Sequence, residues 1–595
     1  MNQQKTQFNT FRSNHAKRKI DYGFIEIDYF SFSNPDYNYI AKIMRQIFVT
    51  VLALLCFICS YTQQTADRIY INAKIWTGNA ADPSASAIAV KGNEILFVGN
   101  DYSKYRSART VVIDEQGKMI VPGFIDNHTH FLSGGYQLAS VNLRYTRSPA
   151  EFIATLKQYA ASLHDDRWIQ GGDWDHENWD GELPQKSWID SVSGQHPVFV
   201  NRYDGHMALA NSIALKLAGI NKDTPNPPGG EIVKDKATGE PTGVLKDEAM
   251  NLLYAVIPEP SAAELDEYLQ RAIQEAFSHG VTQVNDMSSY GGWPDMATYR
   301  RAYANHRLDL RIYSFVPIAR WARLDSFIKE NGRGDDMLHW GGLKGFVDGS
   351  LGSTTAWFYK PYLDAPNTTG LQVTDTNLLR KWIIAADSAG LHVTVHAIGD
   401  KANDFLLNVY EEAEKLNGNR DRRFRIEHAQ HLTQQAIPRF ATLHVIPSMQ
   451  PYHAIDDGKW AAKRLDSARL KGTYAFRSLL ATNATLTFGS DWTVAPLDPI
   501  AGIYAAVTRR TLDDKNPNGW FPEQKISVDQ ALRCYTVNNA YASFMENKTG
   551  MLKAGMLADF VVLSDDIFSV PPAHIRDIQV ILTVVNGKEV YARKN

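Results

Sequence analysis

Cysteine is almost missing from this chain: of three in 595 residues, Cys56 and Cys59 share one apolar run, leaving Cys534 alone in the body. A disulfide framework or a cysteine-based zinc site is therefore excluded there. An excess of charge of one sign is missing too. Lys and Arg number 62 against 65 Asp and Glu, for a formal net charge of −3, so no global field points to nucleic acid or to an anionic surface. The expected partner is a small molecule. A membrane-length apolar run is also lacking, since IFVTVLALLCFIC, from Ile47 to Cys59, is too short to span a bilayer comfortably. Neither an internal repeat nor a low-complexity tract is evident. What remains, 44% hydrophobic and 21% charged residues, is the composition of a large globular protein.

The apolar run has the length of a signal-peptide core and follows Met44-Arg45. Residues 44–62 are read as a signal peptide with Met44 as the working start and cleavage near Thr62. Export to a periplasmic or extracellular space follows, with no stable membrane span after removal. A lipid on Cys59 is the alternative. Residues 1–43, rich in Asn, Tyr and Phe, read as an upstream or disordered extension.

From Arg68 to Val121 short β-rich runs alternate with turns, and the same pattern returns in ADFVVLSDD and IQVILTVVNGKEVYA. Segments 67–121 and 548–595 thus predict one small composite β-sandwich built from both chain ends. The middle, 122–547, must close on itself. It alternates strand and helix: Ser261 and Glu264 form a capping box, Leu265, Leu269, Ala272, Ile273 and Ala276 share a face, and Gly280 ends the helix. Eight apolar strand-like runs, FIDNHTH, VTQVNDM, RIYSFVP, LKGFVDG, HVTVHAIG, FRIEHAQ, HVIPSMQ and LTFGSDW, predict an α/β fold, a TIM-type (β/α)8 barrel. Its active site gathers at the carboxyl ends of the strands. A long insert after the first strand, about 140–260, reads as a lid or subdomain.

His128 and His130 are two apart on the first strand, so both project from one face, about 7 Å apart along the chain. Paired imidazoles at a strand end can hold a metal; alone, they could equally be two surface histidines. His396, His428 and Asp491 stand at the ends of the fifth, sixth and eighth runs. Individually His396 could be a core histidine and Asp491 a helix cap, yet together they converge on one rim. Lys344, on the fourth run, would be repelled by metal ions as an ammonium. Carboxylated, it becomes an anionic oxygen ligand able to bridge two of them. Pairing with Asp348 is the other reading.

The strings VPGFIDNHTHF, LKGFVDGSLGS, TVHAIGDKA, RIEHAQ and FGSDW resemble the amidohydrolase superfamily, and TVHAIGDKA with DGSLGS resembles its amidohydrolase 3, or YtcJ-like, branch. The likeness covers nearly the whole chain after residue 62. It implies a metal-dependent hydrolase with one or two divalent ions, zinc by expectation, held by His128, His130, Lys344, His396, His428 and Asp491. It further implies attack by a metal-activated water on a carbon–nitrogen bond other than a peptide bond, of amide or substituted formamide type, with Asp491 as proton carrier. An ester or lactone hydrolase, a lyase, an isomerase or an inactive binding protein on the same barrel stays open. Trp174, Asp204 and His206 in the insert, with Gln450 and His453 after the seventh strand, are candidates to line the substrate pocket, although Trp174 and Trp179 could simply pack the insert. A homo-oligomer is left open.

Overall fold

The computed structural model describes residues 42–48, 50, 64–163, 167–202 and 206–594. Contacts divide the chain into two units, Met1–Gln64 and Thr65–Asn595. In the first, residues 42–48 and 50 are helical; most of the signal-peptide segment and Cys59 lie outside the described residues. No described helix is long and apolar enough to cross a membrane. The second unit carries everything that follows.

The eight strand-like runs form one parallel eight-stranded sheet, in sequence order. Its strands are β1 (Phe124–Thr129), β2 (Val281–Asp286), β3 (Arg311–Pro317), β4 (Leu338–Phe346), β5 (His392–Ala397), β6 (Arg425–His428), β7 (Ile446–Met449) and β8 (Thr487–Phe488). The last strand is shorter than its sequence run. Asp491 has a positive φ of 58°, which turns the chain out of the pleat three residues after β8. Closure is completed beyond the strands, where Asp491 N–H donates to the His128 carbonyl at 2.8 Å and His130 N–H to that of Trp492 at 2.7 Å. This is a (β/α)8 barrel.

Between β1 and β2 the helix Ala262–Ser278 carries the expected capping box, and its apolar face, with Leu265, Leu269, Ala272, Ile273 and Ala276, is buried. The helix Thr376–Ser388 before β5 is capped by Asp375, whose carboxylate accepts from Leu378 N–H. Those faces enter one large core between strands and helices.

The insert folds on a sheet of its own. Six strands, drawn from Val141–Asn142 through Pro241–Asp247, are covered by short helices including Pro149–Ser162. Two clusters of buried apolar side chains, one around Phe152, Trp174 and Trp179 and one around Phe199, Leu215 and Leu253, belong to it alone. It is thus a subdomain rather than a loop.

Strands from both ends of the chain share a six-stranded sheet, in which Phe560–Leu563 pairs antiparallel with Met119–Pro122. A four-stranded sheet from 68–114 faces it, and Tyr70, Ile88 and Val90 pack with Phe560, Val562 and Val584 in a common core. One ion pair locks this sandwich to the barrel. Arg311, the first residue of β3, donates to Asp559 through Nε at 2.5 Å and Nη2 at 2.9 Å, and the two side chains are 1% and 3% exposed. Removing one partner of a buried pair leaves the other charge stranded. Asp559→Ala should therefore cost about 3–5 kcal/mol, seen as a lowered midpoint in denaturant titration.

Candidate metal centre

His128 is buried at the end of β1, and its Nδ1–H donates to Glu427 Oε2 on β6 at 2.5 Å. That bond fixes the tautomer and turns the bare Nε2 toward the strand ends. Nε2 lies 3.4 Å from Asp491 Oδ1 and 3.1 Å from Lys344 Nζ. His130 is oriented likewise: Nδ1 donates to the Ser288 carbonyl at 2.6 Å, and Nε2 stands 3.5 Å from the same Asp491 oxygen. His428 donates from Nδ1 to Gln450 Oε1 at 2.8 Å. Ligating atoms of His128, His428 and Asp491 all fall within 4.8 Å of one another. His396 adjoins them, its ring 4.5 Å from that of His428, with its Nε2 bonded to the Gly349 carbonyl at 3.1 Å. The six residues singled out as ligands thus converge on one rim, three of them in the tightest cluster.

Two of these positions are bent to fit. His428 and Asp491 have φ of 71° and 58°, a region costly for side chains of L-residues. The β8 end is braced by Asp126, whose carboxylate accepts from His128 N–H at 3.0 Å and from Ser490 N–H at 3.0 Å. There the backbones nearly touch: a Cβ on Gly489 would lie 2.6 Å from His128 N and 2.8 Å from Asp126 Oδ1. Gly489→Ala must then push His128 off its position. Metal content and activity should both fall several-fold, by elemental analysis and rate measurement, with the barrel still folded by circular dichroism.

Burial sets the electrostatics. It holds His128 and His428 well below the ordinary imidazole range, and His130 and His396 down to about 4 and about 3, with the Lys344 charge adding to the effect at His130 and His396. The imidazoles are thus neutral, the form that ligates. Burial also lowers the Lys344 ammonium to about 8, against the attraction of Glu427 and Asp491. Asp491 is pushed up to about 7 by burial, partly offset by Lys344. Burial would raise Glu427 as well, but Arg425, Lys344 and the hydroxyls of Thr394 and Ser448 outweigh it and keep it ionised.

Glu427 is the functional residue that the sequence reading missed. It accepts from His128, from Arg425 Nε at 2.8 Å, from Ser448 Oγ at 2.7 Å and from Thr394. The available signal was Arg425 and Glu427 two apart on a buried strand, a pattern tolerable only when the charges pair. Asp348, the alternative partner for Lys344, instead accepts N–H bonds from Trp357, Ile398 and Gly399 at 2.7–3.0 Å.

The expected pocket residues separate. Trp174 is corrected: it is fully buried in the insert's core, its indole N–H bonded to the Val200 carbonyl at 2.9 Å, so it packs the insert. Gln450 is buried behind His428 and acts on that imidazole. His206 is 75% exposed at the side chain and bonds Asp247 within the insert. Asp204 lies outside the described residues. His453 also stands near the centre, its ring parallel to that of His428 at 6.4 Å and its buried Nε2 without a hydrogen-bond partner.

The donor set suits a divalent ion: neutral imidazole nitrogens, each oriented by a bond at its other nitrogen, beside a carboxylate.

The amidohydrolase family model matches residues 111–591. The chain is 42% identical over 543 residues to Protein LONG AFTER FAR-RED 3 of Arabidopsis thaliana, covering 88% of this chain and 92% of the plant protein. It is 33% identical to the putative amidohydrolase YtcJ of Bacillus subtilis (82% and 92% covered). It is 27% identical to N-substituted formamide deformylase of Arthrobacter pascens (89% and 99%). Among solved structures, an uncharacterised metal-dependent hydrolase from Pyrococcus horikoshii superposes with a TM-score of 0.71 at 29% identity, over 85% of this chain and 99% of that one.

Proposed function

The chain belongs to the amidohydrolase family, in its YtcJ-like branch, and is a metal-dependent hydrolase; from that premise we propose that it hydrolyses a carbon–nitrogen bond of amide type, with N-substituted formamides as the first substrate class. The observation that carries the reading is the convergence of His128, His428 and Asp491 within 4.8 Å at the strand ends. The likeness to a formamide deformylase along 99% of that enzyme's length supports the choice of substrate.

His128, His428 and Asp491, with His130 and His396 beside them, would hold a zinc ion, which would supply Lewis acidity for the carbonyl and for an attacking water near neutral pH. Asp491, close to the Nε2 atoms of both His128 and His130, takes the proton of the attacking water and returns it to the leaving nitrogen. Glu427, Ser288 and Gln450 keep the imidazoles aimed. His453, with an unmatched Nε2 beside His428, is the polar group placed to meet substrate. Lys344, buried 3.1 Å from His128 Nε2, is assigned a carboxylated state. Its neutral amine adds to carbon dioxide, a nitrogen–carbon bond forms, and one proton leaves to give the anionic ligand.

Incubation with an N-substituted formamide should release equimolar amine and formate, stop on chelation and resume with zinc. Release of alcohol from esters or lactones with no amine from any amide would overturn the reading.

A further inference from the structure

At the opposite end of the barrel a cavity of about 340 Å³ is lined by Tyr313 of β3, His339 and Trp340 of β4, Leu391 and His392 at the start of β5, Arg333, and Phe544. His339 precedes Lys344 by five residues on one strand. At about 3.3 Å per residue the cavity therefore lies some 16 Å from the candidate metal centre.

Its walls are aromatic and ordered. The Tyr313 ring stacks on His339 at 4.2 Å and 19°, and its hydroxyl donates to His392 Nδ1 at 3.0 Å, while His392 Nε2–H donates to the Arg423 carbonyl at 2.8 Å. His392 is thereby satisfied at both nitrogens. His339 is less firmly held: the Ser543 backbone faces one ring nitrogen, and neither nitrogen, both buried, completes a close hydrogen bond. The nitrogen turned from Ser543 is left to meet whatever enters.

Phe544 ends the helix Val537–Ala542 in a left-handed turn, φ 60°, closed by Met545 N–H donating to the Ala540 carbonyl at 2.8 Å. It is 44% exposed, with the Arg423 guanidinium 4.3 Å above its ring.

Three guanidiniums, of Arg333, Arg420 and Arg422, and the carboxylate of Asp421 rim the cavity, with Asp335 and Asp336 near His339. Arg420 and Arg422 share a single carboxylate, Asp387. Asp421, also on the lining, is matched by Arg423. Arg333 bonds only the Gly390 carbonyl, at 2.9 Å, with no carboxylate against it among the described residues. An anion has a guanidinium to meet, and a flat ring has faces to lie on.

We propose that this cavity is a second ligand site, distinct from the metal centre, for a planar aromatic anion whose carboxylate meets Arg333 and whose ring packs on the exposed Phe544, Tyr313 and Trp340 being buried against His339 and Phe327. The volume is within the range of small-molecule sites.

The test is isothermal titration of the full chain with 2-naphthoate, with 2-naphthol as the uncharged control. The expected result is a single-site isotherm for the naphthoate, at least tenfold weaker for naphthol and for the variants Arg333→Ala and His339→Phe. Affinity should be unchanged in Asp491→Asn. Arg333 is exposed, so its variant is expected to fold even where His339→Phe does not, and its melting temperature checks this. No binding of naphthoate, equal affinity in Arg333→Ala, or loss of binding in Asp491→Asn would each overturn the proposal.

Discussion

Turnover by the Asp491→Asn enzyme should fall by about 10²–10⁴-fold, the range that a positioned proton carrier contributes. The side chain keeps its shape, and the bond from Asp491 N–H to the His128 carbonyl is backbone and survives. What is lost is a carboxylate that can accept a proton, at a position 3.4 and 3.5 Å from the His128 and His130 imidazoles. The far-UV circular dichroism should match that of the parent protein, and His128 and His428 should retain most of the metal. Turnover equal to the parent's in a folded, metal-loaded variant would remove Asp491 from the chemistry.

The second large effect is expected at Glu427, which touches no substrate. Glu427→Gln can still accept from His128 Nδ1–H, but it no longer balances Arg425, a side chain with no exposed surface. A buried guanidinium without its carboxylate should cost about 3–5 kcal/mol of stability. Loosening the imidazole should also weaken metal binding by about 10–100-fold. Calorimetric melting and competition with a zinc-binding dye read the two effects separately. A variant with unchanged melting and unchanged zinc affinity would show that the charge of Glu427 matters to neither.

These two residues also mark what could be read from the sequence. The barrel was legible because each strand is an apolar run of strand length followed by a helical repeat, and because His128, His396, His428 and Asp491 fall where such runs stop. Glu427 was hidden beside His428, since a charged residue in RIEH looks like one facing water. Only the pairing with Arg425 and His128 reveals it, and that pairing joins positions 299 residues apart. Gln450 was singled out, but as a pocket wall rather than a support for His428, because that partner is on the neighbouring strand. Trp174 misled in the other direction. A segment dense in Trp, Asp and His reads as a pocket wall, but an insert carrying its own six-stranded sheet must fill a core of its own, and its tryptophans go there.

The central claim is that the cluster at the strand ends holds the ion on which hydrolysis depends. Anomalous scattering from a crystal of the zinc-loaded protein, recorded above and below the zinc edge, tests it most directly. The account predicts a peak bounded by His128, His428 and Asp491, with electron density beyond Lys344 Nζ for the added carboxylate. A crystal of active enzyme with no anomalous peak among those three residues would contradict it.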